Sequence, residues 1–473
     1  MSSRPSTAIV WFRRELRVHD LPALHDARAD HDRVVPVFVL DPRLIGGRFA
    51  SGPRTRFMLD CLAELDDALG QRNSGLVVRE GDPATELVDV AREAGADAVL
   101  WTSDAAPYAR ARDRRVTEAL REAGIEPVPC PGSYCADVSK PRTGGGKPYA
   151  VFTPFSKVWE TLPRREVHGT PRDLGGLPSG LRKGRLPSLQ ALGLTDEVPE
   201  PVVAPGERAA RAAMHDWLRG PVDDYADLHD RLSGGTSVMS PYLRWGCVSP
   251  REMEVLARER DTDGARAYVR QLAWRDFYAH VLLHHPDNLR HEYQERFRKL
   301  SWDDDEELLD AWREGRTGFP IVDAGMRQLA RTGWMHNRAR MVVGSFLTKD
   351  LHLDWRAGEA HFERLLLDAE PSQNNGNWQW IASTGVDPAP YFRRIFNPVL
   401  QSKKFDPDGD YLRRWVPELA DVPDARIHEP WTMSDAEQER AGCVIGRDYP
   451  SPVVDHKHER QVAMDRYRAV GEG

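Results

Sequence analysis

Cysteine is scarce and unpatterned: Cys61, Cys130, Cys135, Cys247 and Cys443 are an odd number with no Cys-x-x-Cys spacing. That excludes a disulfide framework or a zinc ribbon, and the thiols read as reduced packing residues. No apolar run reaches the length of a signal-peptide core or a membrane span, so the protein is expected in the cytoplasm with no membrane partner. An excess of positive charge is missing as well. Against 65 Lys and Arg stand 73 Asp and Glu, a net charge of −8, which excludes a cation-coated surface but not a local patch for phosphates. There is no P-loop, no Gly-x-Ser-x-Gly elbow and no His-Glu-x-x-His. His280 and His284 are four apart but lack an acidic partner at ligand spacing, so no metal is expected. No internal repeat or low-complexity tract is visible, which removes solenoid and disordered architectures.

At 473 residues the chain exceeds one ordinary domain, and two are expected. Over 5–130, short β-rich runs at 8–12, 34–40, 76–78 and 98–101 alternate with helical stretches such as 56–69. That order predicts a parallel sheet covered by helices on both faces. Its first strand runs into Trp11-Phe12-Arg13-Arg14 instead of a Gly-x-Gly-x-x-Gly turn, so the fold is Rossmann-like without the usual dinucleotide loop. The stretch 131–205 is rich in Pro and Gly and reads as a surface connector, with 148–155 apolar enough to be pinned down. From 206 to 473 the periodicity is helical, with candidate helices at 208–219, 251–260, 265–283, 305–313 and 321–332. The second domain is expected to be all-α.

Tryptophan is where the chain is unusual. Trp334, Trp355, Trp378 and Trp380 crowd into 47 residues beside Asn337, Arg338, Arg340 and Glu370-Pro371-Ser372-Gln373-Asn374. Each indole N–H needs a partner and each ring fills much volume, so such density suits electron transfer better than acid–base chemistry. In 271–278, Gln271, Trp274, Arg275 and Tyr278 fall at i, i+3, i+4 and i+7 and share one helical face. That face could line a polar cavity; taken alone, an amphipathic helix with Trp274 in the core is the plainer reading. Asn337 and Met341 share another face. Trp378 and Trp380 lie about 200° apart around a helix and must meet different surroundings.

These windows, from Val10-Trp11-Phe12-Arg13-Arg14 to Tyr449-Pro450, resemble the photolyase/cryptochrome family, most closely its class I cyclobutane pyrimidine dimer photolyases. The resemblance implies an α/β antenna domain, an all-α domain binding FAD, and light-driven repair of cyclobutane pyrimidine dimers flipped out of DNA. It implies a cofactor site of Tyr225, Thr236, Ser237, Val238, Met239, Ser240, Arg275, Asn337, Arg340, Asp368, Ala369, Glu370 and Asn374. Asp368 pairs with Arg340, and Asn374 faces flavin N5, where an amide oxygen can accept an N–H. Trp378, Trp355 and Trp302 correspond to an electron-transfer chain from cofactor to surface.

The lesion is implied to meet Gln271, Trp274, Asn337, Met341 and Trp380, and the DNA backbone Arg338, Arg393 and Lys403. Gln271 departs from the Glu common in the family, and Glu370 from its Asp. Either His229 or Arg231 occupies the place of a substrate-facing Arg. Asn337 with Met341 matches dimer photolyases; a (6-4) photolyase would carry two histidines, and plant-type cryptochromes, the main alternative, Asp and Val. The segment 104–108, with Arg54 and Asp104, resembles a site for 8-hydroxydeazaflavin as second chromophore; the carboxylate that grips methenyltetrahydrofolate is missing. The expected partner is dimer-containing DNA, met by a monomer without an obligate protein partner.

Overall fold

β-Branched and aromatic residues concentrate in the five strands of the computed structural model, which describes residues 5–47 and 50–471. They are β1 (Thr7–Phe12), β2 (Arg33–Leu40), β3 (Val77–Glu80), β4 (Ala98–Thr102) and β5 (Glu126–Cys130), all parallel, in the order β3-β2-β1-β4-β5. Alternate residues serve opposite faces. Ile9, Trp11, Val35, Val37, Val99 and Trp101 pack with Leu87, Val90 and Leu120 of two covering helices. Val10, Phe12, Phe38, Leu40 and Leu100 pack on the other side with Leu24, Leu62 and Leu65. β5 had no counterpart among the expected strands because Pro127 and Pro129 argue against one. As an edge strand it bonds inward through the Glu126 N–H and the Cys130 carbonyl, which leaves the proline nitrogens to the open edge.

The connector crosses the surface with one longer helix, Phe152–Thr161, whose Phe152, Phe155 and Trp159 are buried against the 22-residue helix Asp263–His284. Helices Glu207–Arg219, Pro250–Arg260, Asp263–His284, Glu306–Arg313 and Pro320–Thr332 match the expected ones to within two residues. The apolar cluster on one sheet face runs on without a break into Met214, Met253, Val269 and Phe277, so sheet and first helices share a core. A second core, built on residues such as Trp312, Phe346, Trp355, Trp378 and Leu412, belongs to the later helices. The helix His456–Gly471, unforeseen in the sequence, lays Tyr467 beside Phe297, Leu300 and Trp302. Among the described residues no helix is long and apolar enough to cross a membrane.

Two glycines let helices approach closely enough to place aromatic rings in the interior. Gly376 lets helix Pro371–Ile381 meet Tyr278, since a Cβ there would lie 2.2 Å from that ring. Gly358 does the same for Trp378 against helix Trp355–Leu365, with a Cβ 2.1 Å from the indole.

Candidate active site

A hollow of about 1740 Å³, open mouth included, lies among the helices. The single face foreseen on helix Asp263–His284 is there: Gln271, Trp274, Arg275 and Tyr278 all line it. Opposite stand Asn337, Arg338, Arg340 and Met341, and Trp380 closes the side. A second hollow of about 600 Å³ opens off the first and shares Arg340, Met341, Asp368, Glu370 and Trp380 with it, then reaches Ala369, Asn374 and Trp378.

Helix Pro371–Ile381 begins where it does because Glu370 caps it. One carboxylate oxygen accepts the Ser372 and Gln373 N–H groups while Pro371 occupies the first turn. The cap fixes where Asn374, Trp378 and Trp380 point. The Asn374 amide donates to the Glu359 carbonyl (3.0 Å) and to Glu363 (3.3 Å), so its oxygen remains as an acceptor. Arg340 and Asp368 form a two-pronged pair at 3.1 and 2.7 Å, which keeps a cation at the cavity wall.

On the far wall, Tyr225 and the run Thr236–Ser240 line the larger hollow as expected. Val238 turns left-handed (φ 52°) and Met239 returns to φ −79°, ψ −8°. Such an alternation aims successive backbone N–H groups into one concavity suited to an anion. His336 also lines this hollow, and its buried Nε2 has no partner among the described residues. An elongated space with an anion nest, two arginines and an amide acceptor fits a flavin dinucleotide.

The tryptophans fall into distinct surroundings. Trp274 is held flat against Phe152, ring centroids 3.7 Å apart and planes within 5°, so the connector supports it. Trp380 lies under the Arg394 guanidinium at 3.9 Å. Trp378 is buried between Phe362 (5.0 Å) and Trp312 (6.1 Å), a neighbour the sequence did not single out. Trp355 is fully buried with its N–H on Glu292, and half-buried Trp302 packs on the same apolar cluster. Trp378 and Trp355 are both buried, and of the three only Trp302 is partly exposed.

A third hollow, of about 1150 Å³, sits beyond the carboxyl ends of β1, β2 and β4. There the strand order reverses, which is where open α/β sheets bind ligands. Arg54 and Asp104 line it as expected, joined by Arg14, Tyr108, Arg112, Arg244 and Trp245. Tyr108 donates to Asp41, and Arg54 pairs with Glu363 at 3.0 Å. Burial opposes ionisation of Asp104, but Arg14 and Arg13 outweigh it and hold the carboxyl at about 2. Burial, with Arg14 and Arg54 nearby, lowers Arg244 to about 9. Arg14 and Arg244 were missed because they lie far apart in sequence and only the fold brings them to one hollow.

The remaining expected residues divide. His229, and not Arg231, lines the large hollow. Arg338 is paired with Asp230 at 2.7 Å and lies over Phe405, and Lys403 is paired with Glu429 at 2.8 Å, so both reach phosphates only by exchanging partners. Arg393 has no ion pair among the described residues and stands next to the exposed Phe392. His280 is buried, accepting the Tyr149 N–H and bonding to the Val138 carbonyl, and no cluster of metal ligands exists among the described residues.

Residues 8–172 match the family model described as DNA photolyase, and residues 268–469 that of the FAD binding domain of DNA photolyase. The chain is 43% identical to a deoxyribodipyrimidine photo-lyase of Streptomyces griseus, over 98% of this chain and 100% of that one. A bacterial class III photolyase from Agrobacterium tumefaciens superposes with a TM-score of 0.93 at 35% identity, covering 100% of this chain and 99% of that one. An archaeal photolyase from Sulfolobus tokodaii with two FAD molecules superposes with a TM-score of 0.83 at 32% identity, covering 98% and 100%. The expected fold, a parallel α/β domain followed by a helical FAD-binding one, is borne out. By both its sequence and its fold, the chain belongs to the photolyase/cryptochrome family.

Proposed function

We propose that the protein repairs cyclobutane pyrimidine dimers in DNA under light. The observation that carries this reading is the pairing of a deep flavin-sized hollow with a mouth walled by Trp274 and Trp380 and edged by Gln271, Asn337 and Met341. When bound and reduced, FAD would supply on excitation the electron that opens the cyclobutane ring, with the electron returned once the ring has opened. The protein's own groups orient, exclude and stabilise. Trp274, backed by Phe152, and Trp380, backed by Arg394, offer apolar faces to two extruded bases. Gln271 and Asn337 present amides to pyrimidine carbonyl and N–H groups, though Gln271 holds no proton to give. With FAD bound, the Asn374 oxygen would be free to accept the N5–H of the reduced ring, and the Arg340–Asp368 pair would keep a cation in the same wall. Trp378, Trp355 and Trp302 would relay an electron inward from a reductant in solution to a bound flavin that has become oxidised.

The hollow at the sheet's switch point takes the second chromophore, for which 8-hydroxydeazaflavin fits best: its walls combine Arg14, Arg112 and Arg244 with the rings of Trp11, Tyr108 and Trp245. Illuminating the purified holoprotein with dimer-containing duplex is expected to remove the dimers, with none removed in the dark. Intact dimers after illumination would refute the proposal and favour a cryptochrome, and repair confined to (6-4) photoproducts would favour that lyase.

A further inference from the structure

Four charged side chains form the partition between the chromophore hollow and the flavin hollow. Arg14, on the loop after β1, reaches across 356 residues of chain to Glu370 at 3.1 Å and faces Asp104 at 3.6 Å. Arg244 lines both hollows and donates through Nε to the Ala369 carbonyl. Glu370 is at once Arg14's partner, a wall of the flavin site and the cap of the helix that carries Asn374, Trp378 and Trp380. Burial works against ionisation of Glu370, and Arg14, the Ser372 hydroxyl and Arg244 together outweigh it, so the carboxyl is held below its ordinary value.

The partition is incompletely bonded. Arg14 Nε, Arg244 Nη1, Trp245 Nε1 and the Tyr134 hydroxyl are buried without hydrogen-bond partners among the described residues. Arg275, itself on the flavin wall, lies over the Tyr134 ring at 5.3 Å. Unpartnered buried donors disfavour the arrangement that contains them. A ligand that brings acceptor atoms into the chromophore hollow satisfies donors on Arg14, Arg244 and Trp245 and holds the partition in place.

We propose that Arg14 is a positioning residue that couples the two hollows: a chromophore bound against Arg14 and Arg244 fixes Glu370 as the helix cap and so tightens FAD. This rests on the reading of the third hollow as a chromophore site. The coupling is reciprocal, so FAD tightens the chromophore by the same factor. The conduit is a run of direct contacts, Asp104 to Arg14 to Glu370 to the Ser372 and Gln373 N–H groups.

The test measures FAD release from holoprotein after dilution, as free flavin passing an ultrafilter, with and without saturating 8-hydroxy-5-deazariboflavin. Deazaflavin retained by the protein is measured in the same samples. Wild-type protein is expected to release FAD about 5- to 20-fold more slowly when loaded. Glu370→Gln keeps oxygen for the cap, loses the charge facing Arg14 and leaves the chromophore hollow's lining intact. In it, and in Arg14→Gln, the loaded-to-unloaded ratio is expected to fall to about one. A merely structural role would speed FAD release equally with and without deazaflavin and preserve the ratio. Bound deazaflavin with no effect on wild-type release, or an undiminished ratio in both variants, would overturn the coupling. Failure of deazaflavin to bind wild-type protein would overturn the reading of the hollow, and the coupling with it.

Discussion

Gly358→Ala is a one-carbon perturbation with a consequence that can be worked through. The new methyl would stand 2.1 Å from one carbon of the Trp378 six-membered ring and 2.6 Å from two others. Ordinary contact needs roughly 3.5 Å or more, so the indole must shift by about 1.4 Å. Phe362 at 5.0 Å and Trp312 at 6.1 Å block two directions. Trp378 also lines the hollow shared with Asn374, into which the ring has room to move.

Overpacking of this kind costs about 1–3 kcal/mol, which outweighs the roughly 1 kcal/mol that Ala gains over Gly in a helix. For a chain of this length the melting temperature should fall by only about 1–2 °C, because the unfolding entropy is roughly 1 kcal/mol/K. Flavin binding is the sharper readout: displacement of the ring into the hollow should raise the Kd for FAD at least tenfold, about 1.4 kcal/mol. Adding Trp378→Phe removes the outer carbons that collide and should restore much of that affinity, a coupling visible in a double-mutant cycle. Gly70→Ala, with nothing within 4 Å of the added carbon, is the control and should be neutral or slightly stabilising. Undiminished FAD affinity in Gly358→Ala, or no relief in the double variant, would refute the reasoning.

Trp378→Phe alone should keep bound FAD and repair by chemically reduced protein, while slowing photoreduction of oxidised flavin at least tenfold; transient absorption of tryptophan radicals reads it directly. Acid stability follows from buried histidines. Burial lowers His280 and His336 to about 4 and His361 to about 3, so between those values and 6.5 the unfolded chain binds more protons and stability falls as pH falls. From pH 7 to 5 each should cost about 2 kcal/mol. Burial raises Asp276 and Asp350 to about 6, which works in the opposite direction and returns about 1.3 kcal/mol each. The net loss of about 3 kcal/mol should lower the melting temperature by roughly 3 °C at pH 5, and an unchanged or higher value would contradict the signs.

Much of this architecture was open to reading along the chain. The alternating apolar residues of β1, β2 and β4 and the 3.6-residue periodicity after 206 are local signals. The face shared by Gln271, Trp274, Arg275 and Tyr278 needed only the helix repeat. β5 was hidden because two prolines argue against a strand until an edge position makes their missing N–H groups harmless. Helix His456–Gly471 was hidden because its polar run, with mean hydropathy set by His, Lys, Glu and Arg, has little to mark it until Tyr467 finds Phe297 and Trp302.

The choice between His229 and Arg231 could not be made from spacing, since both lie in one short loop and only the packing around Tyr225 decides which faces the cavity. Trp312 carried no motif, yet it is the indole packed against Trp378. The sequence by itself thus determined four of the five strands, the longer helices that line the site, the family and the chemistry of the helical faces it singled out, because these are legible in neighbours within a few residues or in short motifs. Only the tertiary structure decided which distant charges meet. Arg14, Asp104, Arg244 and Glu370 form one partition because sheet and helices share a core, a distance constraint that no local pattern encodes.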